Sequence, residues 1–183
     1  DGASHNGMWD MAMCGIVPGL MLSAPRDCQH LVSVLNEAVD INDRPTVIRY
    51  SKDPMPDDIR VVASHDGLDV LRDGPGDGIL LVAHGQLCAP ALAAVDQLDF
   101  PVRVVSPRWS LPVCRGLIEE AAEARAVVSV EDGLVVSGLG SHLADALSRR
   151  GLWRPIRNLG IPQRYLGHDS RSAIMAELGL DAP

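Results

Sequence analysis

Short apolar runs along the chain are followed by segments with apolar residues at helical spacing, a pattern that predicts strands joined by helices. The first part reads LMLSAP, RDCQHLVSVLNEAVD and TVIRY, which we interpret as a strand, a helix and a second strand. The helix has apolar residues at helical spacing, and Asp27 lies where it would cap the first turn. Strand, helix, strand is the order of a parallel βαβ unit.

From residue 79 onwards the pattern predicts four consecutive strand–helix units. Their strands are nearly continuous apolar runs, such as GILLVAHG and VRVVSP, which is typical of a parallel sheet covered on both faces. Residues 51–78 differ, because prolines and Asp-Gly steps interrupt them, and we interpret them as a linker with a short hairpin around IRVVAS. The sequence thus predicts an α/β fold in three parts: the end of one domain in residues 1–50, the linker in 51–78 and a second, complete domain in 79–183.

Composition and charge argue against several classes of protein. The formal net charge is −8 and no basic block is present, which argues against a nucleic-acid surface. No apolar run is long enough for a membrane span. The four cysteines lack zinc-type spacing and the six histidines form no helical pair, so we expect no metal site built from this chain alone. Scattered cysteines fit a reducing, cytoplasmic location.

Two residues are candidates for chemistry, and each has a purely structural alternative. Arg49 ends a strand, where open parallel sheets bind ligands, and its guanidinium suits a phosphate or a carboxylate. The alternative is an ion pair with a nearby acid. His5 lies in a polar loop between two glycines and is able to act as an acid or a base near neutral pH. The alternative is a surface histidine without a role.

The remaining motifs are weaker. The G-x-G of SGLGSH precedes a helix like part of a dinucleotide fingerprint, but the third glycine is missing, so we prefer a tight helix entry. Glu131 and Asp132 follow a strand and are candidates for catalysis, although acids at strand ends are common. His84 is interpreted as a turn residue. Cys114 starts a helix, where the pKa of a thiol falls, but the sequence names no partner histidine for it.

Five segments, in order along the whole chain, carry a family resemblance. DGASHNGMWD is similar to a D-G-x-T-H-x-G-x-F-D motif, and RYSKD to an R-Y-P-R-G strand end. VRVVSPRWSLP, VVSVEDGLVVSGLGSHL and LGIPQRYLGHDSR match three later segments. Together they resemble the 1-deoxy-D-xylulose-5-phosphate synthase family of the transketolase superfamily. The resemblance implies the end of a thiamine-diphosphate pyrimidine-binding domain, followed by a transketolase C-terminal domain with a largely parallel sheet.

The resemblance also implies an activity and the roles of three residues. Such enzymes use thiamine diphosphate and Mg²⁺ to decarboxylate pyruvate and to condense the two-carbon unit with D-glyceraldehyde 3-phosphate. The product feeds isoprenoid, thiamine and pyridoxal synthesis, and the enzymes are usually homodimers. By motif, His5 would face the substrate and donate a hydrogen bond or relay a proton. Asp1 would contact the acceptor or orient the loop, and Arg49 would hold the acceptor's phosphate.

The chain also departs from the family pattern. RYSKD lacks the proline and the last glycine of R-Y-P-R-G, and Asp53 brings an acid towards the expected phosphate site, which would weaken phosphate binding. The resemblance places most cofactor-binding residues upstream of Asp1, so we expect no activity from the chain alone. Two alternatives stay open. One is another transketolase-like carboligase or an oxoacid dehydrogenase β subunit, and the other is a truncated module that dimerises without catalysis.

Overall fold

The computed structural model describes residues 5–181, which fold into two α/β units. The first unit contains α1 (Asp10–Cys14), β1 (Met21–Ser23), α2 (Cys28–Asp40) and β2 (Thr46–Ile48). β1 and β2 pair in parallel, as the βαβ pattern predicted. Asp27 caps α2, because its Oδ1 accepts a hydrogen bond from the backbone N–H of His30 at 2.7 Å. The short helix α1 was not predicted.

A six-stranded sheet with four helices forms the second unit. Its elements are β3 (Ala63–His65), β4 (Leu68–Arg72), β5 (Ile79–Ala83), α3 (Cys88–Val95), β6 (Val102–Pro107), α4 (Arg115–Glu123), β7 (Ala126–Leu134), α5 (Leu139–Ser148), β8 (Ile156–Ile161) and α6 (Arg171–Glu177). The strand order is β3-β4-β6-β5-β7-β8. Strands β5 to β8 run parallel, and β3 and β4 form an antiparallel edge. The predicted α/β fold, the four strand–helix units and the largely parallel sheet are confirmed.

The antiparallel edge is a hairpin made of residues that the sequence pattern placed in the linker. Asp66 and Gly67 form its turn, with positive φ angles of 44° and 81° that an Asp-Gly pair adopts easily. β4 then pairs with β6, with Leu68 opposite Pro107. A local pattern indicates such a hairpin but not its docking, because the pairing depends on a strand far along the chain. The predicted domain limits stay a prediction.

Apolar and polar contacts hold the two units together. Met11 and Leu22 of the first unit belong to the largest apolar cluster, which otherwise lies mainly between the sheet and helices α4 and α5. The backbones of Leu22 and Leu111 exchange two hydrogen bonds. A buried ion pair crosses the same boundary, from Arg26 Nη1 to Asp69 Oδ2 at 2.7 Å. These contacts bring the carboxyl end of β2 next to the end of β7.

Candidate active site

A cavity of about 430 Å³ opens where the two units meet. The loop before α1, the loop after β2, the end of β7 and the start of α6 all contribute to its wall. Its charged lining residues are Asp10, Arg49, Lys52, Asp53, Asp132, Asp169 and Arg171, and its large apolar ones are Ile161, Leu166, Ile174 and Met175. A concave, partly apolar wall on which a few charged side chains converge is typical of a binding site for a small molecule.

Arg49 lines this cavity immediately after β2 and is held by two acids. Its Nε donates to Asp10 Oδ2 at 2.6 Å, its Nη1 donates to Asp132 Oδ1, and its Nη2 donates to the backbone oxygen of Asp132 at 3.1 Å. Burial opposes the charge of Arg49, but the carboxylates of Asp132 and Asp10 outweigh it and hold its pKa above the ordinary value. The structural alternative for Arg49, an ion pair, is therefore present, and it is compatible with ligand binding.

Asp132 lies between two arginines at the end of β7. Its Oδ1 accepts from Arg49, and its Oδ2 accepts from Arg171 Nη2 of α6 at 2.7 Å. Burial alone would raise the pKa of this carboxyl group, but the two guanidinium groups lower it to about 2. Asp132 is thus a carboxylate at neutral pH, and it joins the first unit to α6.

The neighbouring Glu131 points away from the cavity, towards the start of α5. Its carboxylate accepts hydrogen bonds from the backbone N–H groups of Leu139 and Gly140 at 2.9 and 3.2 Å. Burial raises the pKa of Glu131 to about 7. A Cβ atom on Gly138 would clash with Glu131 Oε2 and with the backbone oxygen of Leu134, so only glycine fits beside the buried acid. The G-x-G motif therefore serves a helix entry that the chain's own carboxylate fills, and not a bound phosphate.

His5 lines the same cavity as Arg49. The structure thus brings together two of the three residues that the resemblance singled out, while Asp1 lies outside the described residues. Next to His5, the side-chain amide nitrogen of Asn6 is buried and has no hydrogen-bond partner among residues 5–181. The roles of His5, Asp1 and Arg49 stay predictions.

Two further residues that the sequence analysis named, His84 and Cys114, have side chains whose pKa values are shifted by burial. His84 directly precedes a short 3-10 turn, Gly85–Leu87, and its side chain is buried: it is 2% exposed, its Nε2 lies 2.7 Å from Ser110 Oγ, and burial lowers its pKa to about 4. Cys114 immediately precedes α4, as expected, yet burial raises the pKa of its thiol. A half-buried thiol whose pKa is raised stays protonated near neutral pH and is a poor nucleophile.

Three site residues were missed or undervalued by sequence reasoning. Asp10 is the last residue of the D-G-x-T-H-x-G-x-F-D match, so a signal for it existed. Asp132 was named as a strand-end acid, but its two arginine partners come from distant segments. Arg171 had no signal, because only the tertiary fold brings the start of α6 to the end of β7.

The described residues contain neither a cluster of metal ligands nor a helix that could span a membrane. Among residues 5–181, no three histidine, cysteine, aspartate or glutamate side chains lie close enough to hold a metal ion. No helix in this described part is long and apolar enough to cross a membrane.

Comparison with known proteins connects this architecture to a family. The model of the transketolase C-terminal domain matches residues 68–183, and that of the transketolase pyrimidine-binding domain matches residues 1–57. Over its whole length, the chain is 91% identical to 1-deoxy-D-xylulose-5-phosphate synthase of Cutibacterium acnes and 45% identical to 1-deoxy-D-xylulose-5-phosphate synthase 2 of Streptomyces avermitilis. It spans 29% of the length of each of these relatives.

Two solved structures share the fold. The chain superimposes on a split gene transketolase, described as an inactive β4 tetramer, with a TM-score of 0.81 and 27% identity, covering 98% of this chain and 58% of that one. For the transketolase of Campylobacter jejuni, the TM-score is 0.73 at 17% identity, covering 99% of this chain and 27% of that one.

The matched domain models show that the chain belongs to the transketolase family. Within this family it corresponds to the C-terminal portion of 1-deoxy-D-xylulose-5-phosphate synthase, as the five motifs predicted. The end of a pyrimidine-binding domain and the C-terminal domain that follows it are thereby confirmed.

Proposed function

We propose that the chain is the C-terminal part of a working 1-deoxy-D-xylulose-5-phosphate synthase. Such an enzyme joins pyruvate and D-glyceraldehyde 3-phosphate, releases CO₂ and forms 1-deoxy-D-xylulose 5-phosphate. The observation that carries the proposal is that His5 and Arg49, which are far apart in sequence, line one cavity. The 91% identity to the Cutibacterium acnes synthase supports the same activity.

Arg49 suits the role of holding the acceptor's phosphate. A guanidinium group has five N–H donors, and the described residues use three of them on Arg49, which leaves two for a ligand. Asp10 and Asp132 orient the side chain before any ligand binds, so little conformational entropy is lost on binding. An oriented guanidinium at a strand end is a good phosphate receptor.

His5 is assigned the proton chemistry at the other end of the acceptor. With the phosphate on Arg49, the carbonyl of a three-carbon acceptor would extend through the cavity towards the loop that holds His5. There the imidazole would donate a hydrogen bond to the carbonyl oxygen or transfer a proton to it as negative charge develops. Asp1, by motif, would contact the same acceptor.

The cofactor implied by the family does not find a complete site in the described residues. Residues 5–181 contain no group of three histidine, cysteine, aspartate or glutamate side chains that could hold a metal ion, and two cavity carboxylates, those of Asp10 and Asp132, are bonded to Arg49. We therefore propose that thiamine diphosphate and Mg²⁺ are held mainly by other parts of the full-length protein, and that this chain supplies the wall around the acceptor.

The surface of the first unit supports a larger assembly. Val32, Leu35 and Val39 of α2 are between 52% and 73% exposed, and Ile16 is 82% exposed. An apolar helix face of this kind usually packs against further protein. We propose that the rest of the pyrimidine-binding domain covers it and that the full-length protein is a homodimer. The cytoplasmic location stays a prediction from the sequence.

The test is an activity assay on the full-length protein with pyruvate, D-glyceraldehyde 3-phosphate, thiamine diphosphate and Mg²⁺. We expect 1-deoxy-D-xylulose 5-phosphate as the product. His5→Ala should lower kcat by about 100-fold, in line with the loss of a general acid or base. His168→Ala, which alters an exposed histidine outside the cavity wall, is the matched control. Absence of the product, or full kcat in His5→Ala, would contradict the proposal.

A second candidate function is a stable module without catalysis. The split gene transketolase, to which this chain is similar over 98% of its length, is described as an inactive tetramer. Size-exclusion chromatography and a thiamine-diphosphate titration on the 183-residue chain separate the two. Self-association without cofactor binding would fit a chain that is inactive by itself. Tight cofactor binding would contradict the proposal that other parts of the full-length protein hold the cofactor.

A further inference from the structure

A second guanidinium group lies beside Arg49 in the same cavity. Arg171, the first residue of α6, donates from Nη2 to Asp132 Oδ2 at 2.7 Å, while Arg49 donates to the other oxygen of that carboxylate. One buried carboxylate therefore holds two arginines from different units next to each other. Such a pair presents two forks of N–H donors to one small volume.

Arg171 forms fewer hydrogen bonds with described residues than Arg49 does. Of its five N–H donors, only one is used in a hydrogen bond with a described residue, compared with three on Arg49. Its side chain is 28% exposed, and that of Arg49 is 14% exposed. Four N–H donors of this cavity-lining side chain thus make no hydrogen bond with a described residue, and only the loose ion pair with Asp53 engages Nη1.

The second acid near Arg171 is Asp53, which follows β2. Asp53 Oδ2 lies 3.8 Å from Arg171 Nη1, too far for a hydrogen bond, and the Asp53 side chain is 51% exposed. Asp53 is the residue that stands where the family motif R-Y-P-R-G ends in glycine. A loose ion pair in an exposed position is worth little, so a better anion can displace it.

We propose that Arg171 is a second binding residue for the acceptor's phosphate and that Asp53 is the counter-ion which the phosphate displaces. The inference rests on the proposed function and adds to it. A phosphate has three oxygens and can accept from both guanidinium groups at once, with Arg49 held from one side of Asp132 and Arg171 from the other. When the ligand binds, the negative charge of Asp53 opposes it, and Asp53 therefore weakens binding.

The charges around the cavity are consistent with this exchange. The carboxylates of Asp10 and Asp132 are bonded to Arg49, so they do not repel a second anion as an uncompensated acid would. Asp53 is the acid that pairs with Arg171 without a hydrogen bond. Removing its charge should therefore tighten phosphate binding, and only while Arg171 is present.

The test compares two acceptors on the full-length protein, D-glyceraldehyde 3-phosphate and unphosphorylated D-glyceraldehyde. Arg171→Gln should raise the KM for the phosphorylated acceptor about tenfold, because a charged hydrogen bond is lost, and leave the KM for D-glyceraldehyde unchanged. Asp53→Asn should lower the KM for the phosphorylated acceptor severalfold in the parent and have no effect in Arg171→Gln. Arg164→Gln, which alters an exposed arginine paired with Glu177 outside the cavity wall, is the matched control.

Two kinetic results would overturn the inference. An equal rise of KM for both acceptors in Arg171→Gln would mean that Arg171 only supports the structure. An equal effect of Asp53→Asn in both backgrounds would mean that Asp53 acts on Arg49 and not on Arg171.

A binding measurement separates this inference from the proposed function. Inorganic phosphate, titrated by calorimetry, should bind about tenfold more weakly to Arg171→Gln than to the parent, since one charged contact is lost. Equal affinity would overturn the inference. If the parent binds phosphate in the expected way but forms no product, the proposed function fails while the phosphate site stands.

Discussion

Asp132 offers the sharpest prediction about stability, because its carboxylate joins Arg49 to Arg171. We consider Asp132→Asn, which removes the charge and keeps the shape. The two arginines lower the pKa of Asp132 from 3.8 to about 2. At 1.36 kcal/mol for each pKa unit, this shift corresponds to about 2 kcal/mol of folding stability at neutral pH. The side chain is 9% exposed, so screening by water reduces this figure little.

The pH dependence of this contribution has a definite sign. The folded pKa lies below the unfolded one, so the stabilisation is complete well above pH 3.8 and is lost as the pH falls towards 2. The same two pKa values leave roughly half of this stabilisation at pH 3.

The assay is urea unfolding of the 183-residue chain and its variant, followed by circular dichroism at pH 7 and pH 3. At pH 7 the midpoint of Asp132→Asn should fall by about 1 M urea, and at pH 3 by about half as much. Asp43→Asn, which alters a fully exposed acid, should change the midpoint little at either pH. A loss of stability in Asp132→Asn that is equal at both pH values, or none at all, would refute the reasoning.

The remaining predictions concern the start of α5 and the buried histidine. Gly138→Ala should destabilise the chain by about 2 kcal/mol, because the new Cβ atom would clash with Glu131 Oε2 and with the backbone oxygen of Leu134. A Cβ atom on Gly76 has nothing within 4 Å, so Gly76→Ala should be nearly neutral in the same unfolding assay. Burial raises the pKa of Glu131 to about 7, so its contribution to stability falls as the pH rises from 4.5 through 7, and Glu131→Gln should lack this fall between pH 5 and pH 8. Burial lowers the pKa of His84 from 6.5 to about 4, so stability is lost as the pH falls from 6.5 towards 4, and His84→Asn should lose less between pH 7 and pH 5. Unchanged pH dependence in either variant, or equal stability of the two alanine variants, would contradict these assignments.

Much of the fold was predictable from the sequence, because local patterns of apolar and polar residues determine where its strands and helices form. Apolar runs that alternate with segments of helical periodicity predicted the βαβ unit and the four later strand–helix units. The position of Asp27 predicted the cap of α2. The docking of β4 on β6 was not predictable, because it depends on pairing between segments far apart in the chain.

The candidate site was predictable only in part. The motif match singled out His5 and Arg49, and both line the cavity. Asp132 and Arg171 come from β7 and α6, and nothing in either segment indicates that their side chains meet. Ion pairs between distant elements follow from packing, which periodicity and spacing do not specify.

The proposed function depends most on Arg49: its guanidinium group must hold the phosphate of the acceptor in the cavity that His5 lines. The most direct measurement is the kcat/KM of the full-length protein for D-glyceraldehyde 3-phosphate, divided by its kcat/KM for D-glyceraldehyde, in the parent and in Arg49→Gln. We predict that this ratio falls about 100-fold in Arg49→Gln, because two charged hydrogen bonds to the phosphate are lost and the unphosphorylated acceptor makes neither. An unchanged ratio in a folded Arg49→Gln protein would contradict the account.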